Sequence, residues 1–270
     1  MAMASEYLCR MQVLSEVRPP VAVLTLIRSP SLLPMARKVR QRVKLLEVRL
    51  DKFAPGDWKT LITEAAREFP AARFLLTIRF AKDGGSWPDA ISRHEAFAQA
   101  FALRQWDFVD VEWDAPDHAE LAPLLARHAS WTRLVCSRHD FAPASEELLQ
   151  VLDGLWKVSK ERGAAVAKWA GNLSDPDREI RELCAFASLH RDDAMVPSIF
   201  AMGPEGKVTR VASALLGGGW SYGHDGVGEA APGQIAWPVL DALLQSLPAA
   251  TEPSAEWLQG VEASLRLAES

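Results

Sequence analysis

A lysine inside an apolar run is the residue of greatest chemical interest in this sequence. Lys168 lies in the segment Ala164–Ala170, in which all of its neighbours are apolar. Lysine is seldom buried without a partner, because burial opposes its charge. The same burial lowers the pKa of the amine and makes it a neutral nucleophile. Lys168 is therefore a candidate for forming a Schiff base with a carbonyl compound.

Further polar residues fall at or just after the ends of other apolar runs. They are Glu47, Arg49, Asp51, Arg79, Asp110, Glu112, His139 and Arg210. Each has an ordinary structural alternative, such as an ion pair, a cap or a polar group satisfied inside the protein. One buried lysine, one histidine and three arginines together favour Schiff-base chemistry on an anionic carbonyl substrate.

Short apolar runs alternate with amphipathic segments along the chain, and the two kinds of segment predict strands and helices. The predicted strands are Val21–Ile27, Val43–Leu50, Arg73–Arg79, Asp107–Trp113, Thr132–Ser137, Ala164–Ala170, Pro197–Met202 and Gly219–Tyr222. The predicted helices are Leu32–Gln41, Asp57–Phe69, Ala90–Leu103, His118–His128, Ser145–Arg162, Asp175–His190, Val208–Leu216 and Ile235–Leu247.

Eight successive strand–helix units indicate an α/β protein with a parallel sheet. In a chain of 270 residues they predict a single-domain (β/α)8 TIM barrel over residues 1–270. Residues 1–20 are interpreted as an N-terminal extension, and residues 252–270 as an extra C-terminal helix over Ala255–Ala268. The alternative is an open doubly wound sheet, but no GxGxxG follows the first strand. In a barrel, chemistry occurs at the C-terminal ends of the strands, where the polar residues fall.

Composition excludes several classes of function. The formal net charge of -5 argues against a nucleic-acid-binding protein. No apolar stretch approaches the roughly 20 residues of a membrane span, and the segment Met1–Glu16 lacks the pattern of a signal peptide. The three cysteines, Cys9, Cys136 and Cys184, are too few and too widely spaced to suggest disulfides or a metal site. A cytoplasmic setting is expected.

Seven motifs, between about Val21 and Leu247, resemble the type I 3-dehydroquinate dehydratase family in type and order. They are Glu47-x-Arg49-x-Asp51, Thr77-x-Arg79 with Asp83-Gly84-Gly85, Asp110-x-Glu112, Ser137-x-His139-Asp140-Phe141, Val166-Ala167-Lys168, Met202-Gly203-x-x-Gly206-x-x-Thr209-Arg210 and Ala230-Ala231-Pro232-Gly233-Gln234. Each motif alone is weakly specific, whereas seven in the family's order are highly specific.

The resemblance implies a (β/α)8 fold and a hydro-lyase that converts 3-dehydroquinate to 3-dehydroshikimate, a step in aromatic amino acid biosynthesis. It implies that Lys168 forms the Schiff base, that His139 is the general base and acid, and that Asp83 orients His139. The substrate-binding residues that it implies are Glu47, Arg49, Arg79, Arg210, Gln234 and Ala230. Neither a metal nor a diffusible cofactor is expected, because the Lys168 iminium serves as the electron sink. The resemblance also suggests a homodimer.

Several positions depart from the family pattern, among them the glycine-serine before the eighth strand, which is Gly217-Gly218 here. Ala230 replaces a loop serine, Thr209 replaces a serine, and Asp83 replaces a glutamate. The loop change leaves two alternatives to the dehydratase: another Schiff-base lyase or aldolase on the same barrel, and a non-catalytic binder of quinate-type ligands. A binder has no need of Lys168 and His139, so the presence of both favours an enzyme.

Overall fold

A curled sheet of nine parallel strands forms the centre of the molecule in the computed structural model, which describes residues 20–142, 147–190, 195–250 and 252–269. The strands are β1 (Val21–Leu26), β2 (Leu45–Arg49), β3 (Arg73–Thr77), β4 (Phe108–Glu112), β5 (Arg133–Asp140), β6 (Val166–Gly171), β7 (Val196–Ala201), β8 (Trp220–His224) and β9 (Ile235–Ala236). All eight predicted strands are present, and β9 adds a short ninth strand beside β8.

Each of the first eight helices follows the strand of the same number. They are α1 (Arg37–Arg40), α2 (Trp58–Glu68), α3 (Ala90–Leu103), α4 (His118–His128), α5 (Leu148–Glu161), α6 (Pro176–Leu189), α7 (Gly203–Ser213) and α8 (Trp237–Ser246), and a last helix, α9, spans Ala255–Glu269. The predicted bounds of α3 and α4 agree with the structure at both ends.

The order of strands shows how the sheet curls. Hydrogen-bonded neighbours run from β7 through β6, β5, β4, β3 and β2 to β1, and β1 also pairs with β8. The sheet brings β8 against β7, where the Ser198 hydroxyl donates to the Trp220 carbonyl oxygen at 2.7 Å. The predicted barrel is confirmed, and the open doubly wound sheet is excluded.

Strand alternation separates two apolar cores. Inward-facing residues such as Val23, Leu45, Phe108 and Trp220 pack together inside the barrel. The larger core lies between the outer face of the strands and the helices. Towards the C-terminal ends of the strands, the inward positions change from apolar to polar. The polar site therefore has an apolar floor.

The first predicted helix is wrong over most of its length. Only Arg37–Arg40 is α-helical within the predicted Leu32–Gln41, and Pro30–Leu32 forms a separate 3-10 turn. Pro34 disfavours a helical conformation at the residue before it, and Leu33 is extended, with ψ of 129°. Pro34 therefore prevents the predicted helix from forming over its first residues.

Helix α7 begins earlier than the predicted Val208. It starts at Gly203 and has a proline in its first turn, where the missing N–H carries no penalty. A Cβ at Gly206 would lie 2.5 Å from the Ala201 Cβ, so this glycine allows α7 to pack tightly against the end of β7. Both Gly203 and Gly206 therefore belong to the helix.

The C-terminal segment is helical, as the pattern of Ala255–Ala268 predicts. Helix α9 packs against α7 and α8 and buries Val261 and Leu265. The predicted N-terminal extension, residues 1–20, lies outside the described residues except for Pro20. Within the described ranges, no helix has the length and apolar character that a membrane crossing requires.

Candidate active site

A cavity of about 210 Å³ opens at the C-terminal ends of the strands. Eight of the nine predicted site residues that line it carry polar side chains, and the ninth is Ala230. The nine are Glu47, Arg49, Arg79, Asp83, His139, Lys168, Arg210, Ala230 and Gln234. The structure thus brings together residues from six different strand-to-helix units, as a barrel requires of its functional end.

Lys168 lies near the middle of β6 and faces the barrel interior. Its ammonium group is 2.9 Å from an Asp110 carboxylate oxygen and 3.5 Å from a Glu47 carboxylate oxygen, and only 3% of the residue is exposed. Burial lowers the pKa of the amine, while Asp110 and Glu47 oppose that change, and the net direction is below the usual value. The predicted buried lysine is present, and it is paired with carboxylates.

Hydroxyl groups fix the two carboxylates beside Lys168. Glu47 accepts hydrogen bonds from Thr25 at 2.9 Å and Thr77 at 3.0 Å, and Asp110 accepts one from Ser137 at 2.6 Å. Burial alone would raise the pKa of Glu47, but Lys168, Arg49 and Arg79 reverse the direction and hold the carboxyl ionised. The amine therefore has a fixed position.

His139 lies near the end of β5 and contacts Arg79. The His139 Nε2 is 2.5 Å from the Arg79 Nη1. Because a guanidinium only donates, Nε2 must accept and the proton of the neutral ring resides on Nδ1. Burial, Arg79 and Lys168 hold the pKa of His139 well below its usual value. The ring is therefore neutral at neutral pH, and its Nε2 accepts from Arg79.

Asp83 lines the same cavity but is not hydrogen-bonded to His139. Among the described residues, neither the Asp83 Oδ2 nor the His139 Nδ1 has a hydrogen-bond partner. Burial and the Glu112 carboxylate raise the pKa of Asp83 to about 6. Lys82 lies 3.9 Å from it. The orienting role that the resemblance implies thus remains a prediction.

Arg49 and Arg79 are held by acidic partners at the cavity wall. Arg49 forms a bidentate pair with Asp51, with both distances 2.9 Å. Arg79 donates to Asp110 at 2.7 Å. Together with Glu47, these two guanidinium groups give the wall alternating donors and acceptors, which suits a ligand with several hydroxyl groups.

Arg210 supplies an incompletely paired positive charge. It is fully buried on α7, donates from Nη2 to the Pro232 carbonyl at 3.0 Å, and covers the Phe200 ring at 4.4 Å. Within the described part of the chain, its Nε and Nη1 have no hydrogen-bond partner. Burial lowers the pKa of the guanidinium to about 9, and Glu229 opposes the change. A carboxylate would match these donors.

The loop after β8 covers one side of the cavity. Gln234 accepts hydrogen bonds from the backbone N–H groups of Ala230 at 2.7 Å and Ala231 at 3.3 Å. The Gly233 N–H donates to Glu229 at 2.9 Å. The loop is thereby folded on itself at the cavity mouth without a side-chain hydroxyl at position 230.

Comparison with known proteins assigns this chain to one family. The family model described as type I 3-dehydroquinase matches residues 22–250. The chain is 30% identical over 218 residues to the 3-dehydroquinate dehydratase of Thermococcus gammatolerans, which covers 78% of this chain and 91% of that protein. The chain belongs to the type I 3-dehydroquinase family.

Two further comparisons agree with this assignment. The chain is 29% identical over 209 residues to the 3-dehydroquinate dehydratase of Pyrobaculum aerophilum, covering 76% of this chain but only 64% of that protein, less than two thirds of its length. The crystal structure of 3-dehydroquinate dehydratase from Enterococcus faecalis superposes with a TM-score of 0.70, 19% identity, and coverage of 86% of this chain and 96% of that one. The structural likeness supports the fold.

Sequence reasoning missed several residues of the type I 3-dehydroquinase cavity. Phe141, Phe200, Met202 and Tyr222 also line it. Phe141 and Met202 stand inside family motifs, whereas the signal for Tyr222 was its place in the short eighth strand, where alternation puts it on the inner face. Phe141, Phe200 and Met202 add apolar surface to the cavity, and the phenol of Tyr222 adds one polar group.

Proposed function

We propose that this protein is a 3-dehydroquinate dehydratase that works through a Schiff base on Lys168. The observation that carries the proposal is the fixed, buried amine in a cavity that also contains a neutral histidine and an incompletely paired guanidinium. Family membership supports the substrate. The finer assignment of roles rests on the chemistry of these side chains.

The proposed reaction begins when the neutral Lys168 amine attacks the ketone carbon, and loss of water leaves an iminium. The proton that the ammonium releases leaves with the carbinolamine hydroxyl as water, and Asp110 and Glu47 stay ionised and stabilise the cationic iminium. The iminium withdraws electrons, so the neighbouring C–H bond becomes acidic. Hydrolysis of the iminium at the end of the reaction consumes one water, releases 3-dehydroshikimate and regenerates the amine.

His139 is the proposed general base and acid. For Nε2 to take the substrate proton, Arg79 must withdraw its N–H from the ring and donate it to a substrate hydroxyl instead. This exchange removes a positive charge from contact with His139 and raises the pKa of the imidazole towards the working range. The proton then leaves with the departing hydroxyl as water, so one residue serves both steps. Asp83 is proposed to orient the His139 imidazole from its Nδ1 side.

Arg210 is proposed to bind the substrate carboxylate through its Nε and Nη1 groups, which have no hydrogen-bond partner within the described ranges. A planar guanidinium fits a carboxylate in a bidentate manner. Glu47, Arg49 and Arg79 are proposed to contact the ring hydroxyls, and Gln234 to approach from the loop. The loop fold at Ala230 relies on backbone donors, so loss of the family's serine hydroxyl is expected to weaken binding and to spare the chemistry.

Trapping with borohydride tests the proposal. Sodium borohydride added with 3-dehydroquinate is expected to leave a reduced adduct on Lys168, located by mass spectrometry, and turnover is expected to increase enone absorbance. Lys168→Ala should abolish both signals, whereas Lys44→Ala, at an exposed lysine by the start of β2, should retain them. Absence of both signals from the unmodified protein would exclude the dehydratase.

A further inference from the structure

Tyr222 presents a buried hydroxyl without a hydrogen-bond partner at the edge of the active-site cavity. The residue lies on β8, lines the cavity and is 2% exposed. Among the described residues, no group lies within hydrogen-bonding reach of the phenol oxygen. A buried hydroxyl is normally satisfied, so an unsatisfied one in a binding cavity indicates a group that a ligand completes.

Two contacts fix where this hydroxyl lies. The Lys168 Nζ is 3.9 Å from the centre of the Tyr222 ring, and the Phe200 ring centre is 5.8 Å away. The first is a cation–π contact, which holds the face of the ring against the amine. The phenol oxygen is therefore held at the rim of a ring whose face adjoins the attacking atom.

The phenol keeps its proton over the working pH range. Burial, followed by the carboxylates of Glu47 and Asp110, raises the pKa of Tyr222 well above its usual value. A protonated phenol both donates and accepts hydrogen bonds. This is the same capacity as that of an alcohol on a substrate ring, so the two groups are complementary.

We propose that the Tyr222 hydroxyl hydrogen-bonds a ring hydroxyl of the substrate next to the carbon that Lys168 attacks, and so selects for a hydroxylated ring. The inference rests on the proposed dehydratase function and adds a specificity-determining residue to it. Ala230, which also lines the cavity, offers no side-chain hydroxyl. Tyr222 thus adds a polar contact at the edge of the cavity.

The neighbouring residue on β8 provides a matched control. Ser221 is fully buried and its hydroxyl also has no hydrogen-bond partner among the described residues. It is not part of the cavity lining, because successive residues of a strand face opposite sides of the sheet. Ser221→Ala therefore removes a buried hydroxyl from the same strand and leaves the cavity lining unchanged.

Steady-state kinetics of Tyr222→Phe and Ser221→Ala test the inference. Loss of one neutral hydrogen bond to substrate is expected to raise KM for 3-dehydroquinate about two- to tenfold in Tyr222→Phe and to leave Ser221→Ala unchanged. Thermal unfolding of Tyr222→Phe without ligand should occur no lower in temperature than that of the parent, because the hydroxyl has no hydrogen-bond partner among the described residues.

The 4-deoxy analogue of 3-dehydroquinate tests the contact, because C4 carries the ring hydroxyl next to the ketone carbon, and the 5-deoxy analogue is its control. Loss of the 4-hydroxyl should lower kcat/KM several-fold with the parent and much less with Tyr222→Phe, whereas the penalty for the 5-deoxy analogue should be the same in both. Any of three results would overturn this inference and leave the proposed function standing. KM could be unchanged in Tyr222→Phe, or KM could rise equally in Ser221→Ala. Loss of the 4-hydroxyl could also lower kcat/KM as much with Tyr222→Phe as with the parent. A parent without dehydratase turnover would instead remove the proposed function, and the inference would fall with it.

Discussion

Arg210 shows how a single residue can be costly in the free protein and useful with substrate. Its guanidinium is buried, yet two of its nitrogens have no hydrogen-bond partner among the described residues. A buried charge without full pairing destabilises a fold. The free protein retains this charge at the edge of the cavity, where a carboxylate would complete its hydrogen bonds.

We therefore expect Arg210→Met to separate binding from stability. The variant should raise KM for 3-dehydroquinate by about 100-fold or more, because a charge-assisted bidentate contact is lost. Its free energy of unfolding in urea should match or exceed that of the parent, since an incompletely paired buried charge is removed. A large loss of stability with little change in KM would contradict the proposed role.

The sequence predicts which residues form this site but not which of them contact one another. Strand alternation places Glu47 and Arg49 on one face of their strand and leaves open whether it is the inner or the outer one, and the structure shows that both residues line the cavity with Lys168. The contact between Arg79 and His139 joins residues 60 positions apart, and it depends on side-chain rotamers that no local pattern encodes. The unpartnered hydroxyl of Tyr222 is likewise visible only after the packing is known.

At the scale of elements, a polar bridge joins the two strands that carry the central pair of residues. Asp140 follows His139 on β5, and Trp169 follows Lys168 on β6. The Trp169 Nε1 donates to Asp140 at 2.7 Å, and the Arg138 Nε donates to both Asp140 oxygens at 3.0 Å. The bridge holds the C-terminal ends of β5 and β6 together directly behind the site.

Breaking this bridge should cost both stability and rate. Asp140→Ala leaves the Trp169 N–H without its acceptor, so we expect the free energy of unfolding to fall by about 2–3 kcal/mol. The value of kcat should fall several-fold, because His139 loses its fixed distance from Lys168. Urea unfolding and steady-state kinetics measure the two effects.

A double-mutant cycle provides the control for the bridge. Trp169→Phe removes the donor, so it should cost much less in the Asp140→Ala background than in the parent. Independent, additive effects would show that Asp140 acts through Arg138 alone and that the strands are not coupled by Trp169.

The elements themselves were predictable to different degrees. The bounds of the helices α3 and α4 agree with the prediction, even though Pro123 lies inside α4. The predicted first helix failed because Pro34 forces Leu33 into an extended conformation. The sequence did not predict the start of α7. Gly206 allows the helix to approach Ala201 closely, and a tertiary contact of this kind leaves no pattern in the local sequence.

At the scale of the whole molecule, the residues that stabilise the barrel and the residues proposed to do the chemistry lie at different levels along its axis. Apolar residues such as Val23, Leu45 and Phe108 fill the interior below the site. The buried charges of Lys168, Glu47 and Asp110 lie above them and pair with one another. The apolar floor stabilises the fold, which allows the upper layer to keep charges that are unfavourable for stability alone.

The C-terminal helix α9 belongs to the stabilising part of the molecule. It packs against α7 and α8 on the outside of the barrel, away from the cavity, and Lys207 on α7 pairs with Glu269 at 2.8 Å. Because Arg210 also lies on α7, the helix α9 supports the element that carries it. Loss of α9 packing should therefore lower stability first and affect substrate binding only near the unfolding transition.

Substitutions on two faces of α9 test this separation. Leu265 is 4% exposed, so Leu265→Ala should lower the free energy of unfolding by about 2–4 kcal/mol. Leu267 is 78% exposed, and Leu267→Ala should change it by less than about 0.5 kcal/mol. Both variants should keep the parent KM for 3-dehydroquinate well below the unfolding temperature. Equal stability of the two variants would mean that α9 does not belong to the single barrel domain, because a helix that contributes to the core must distinguish its inner face from its outer one.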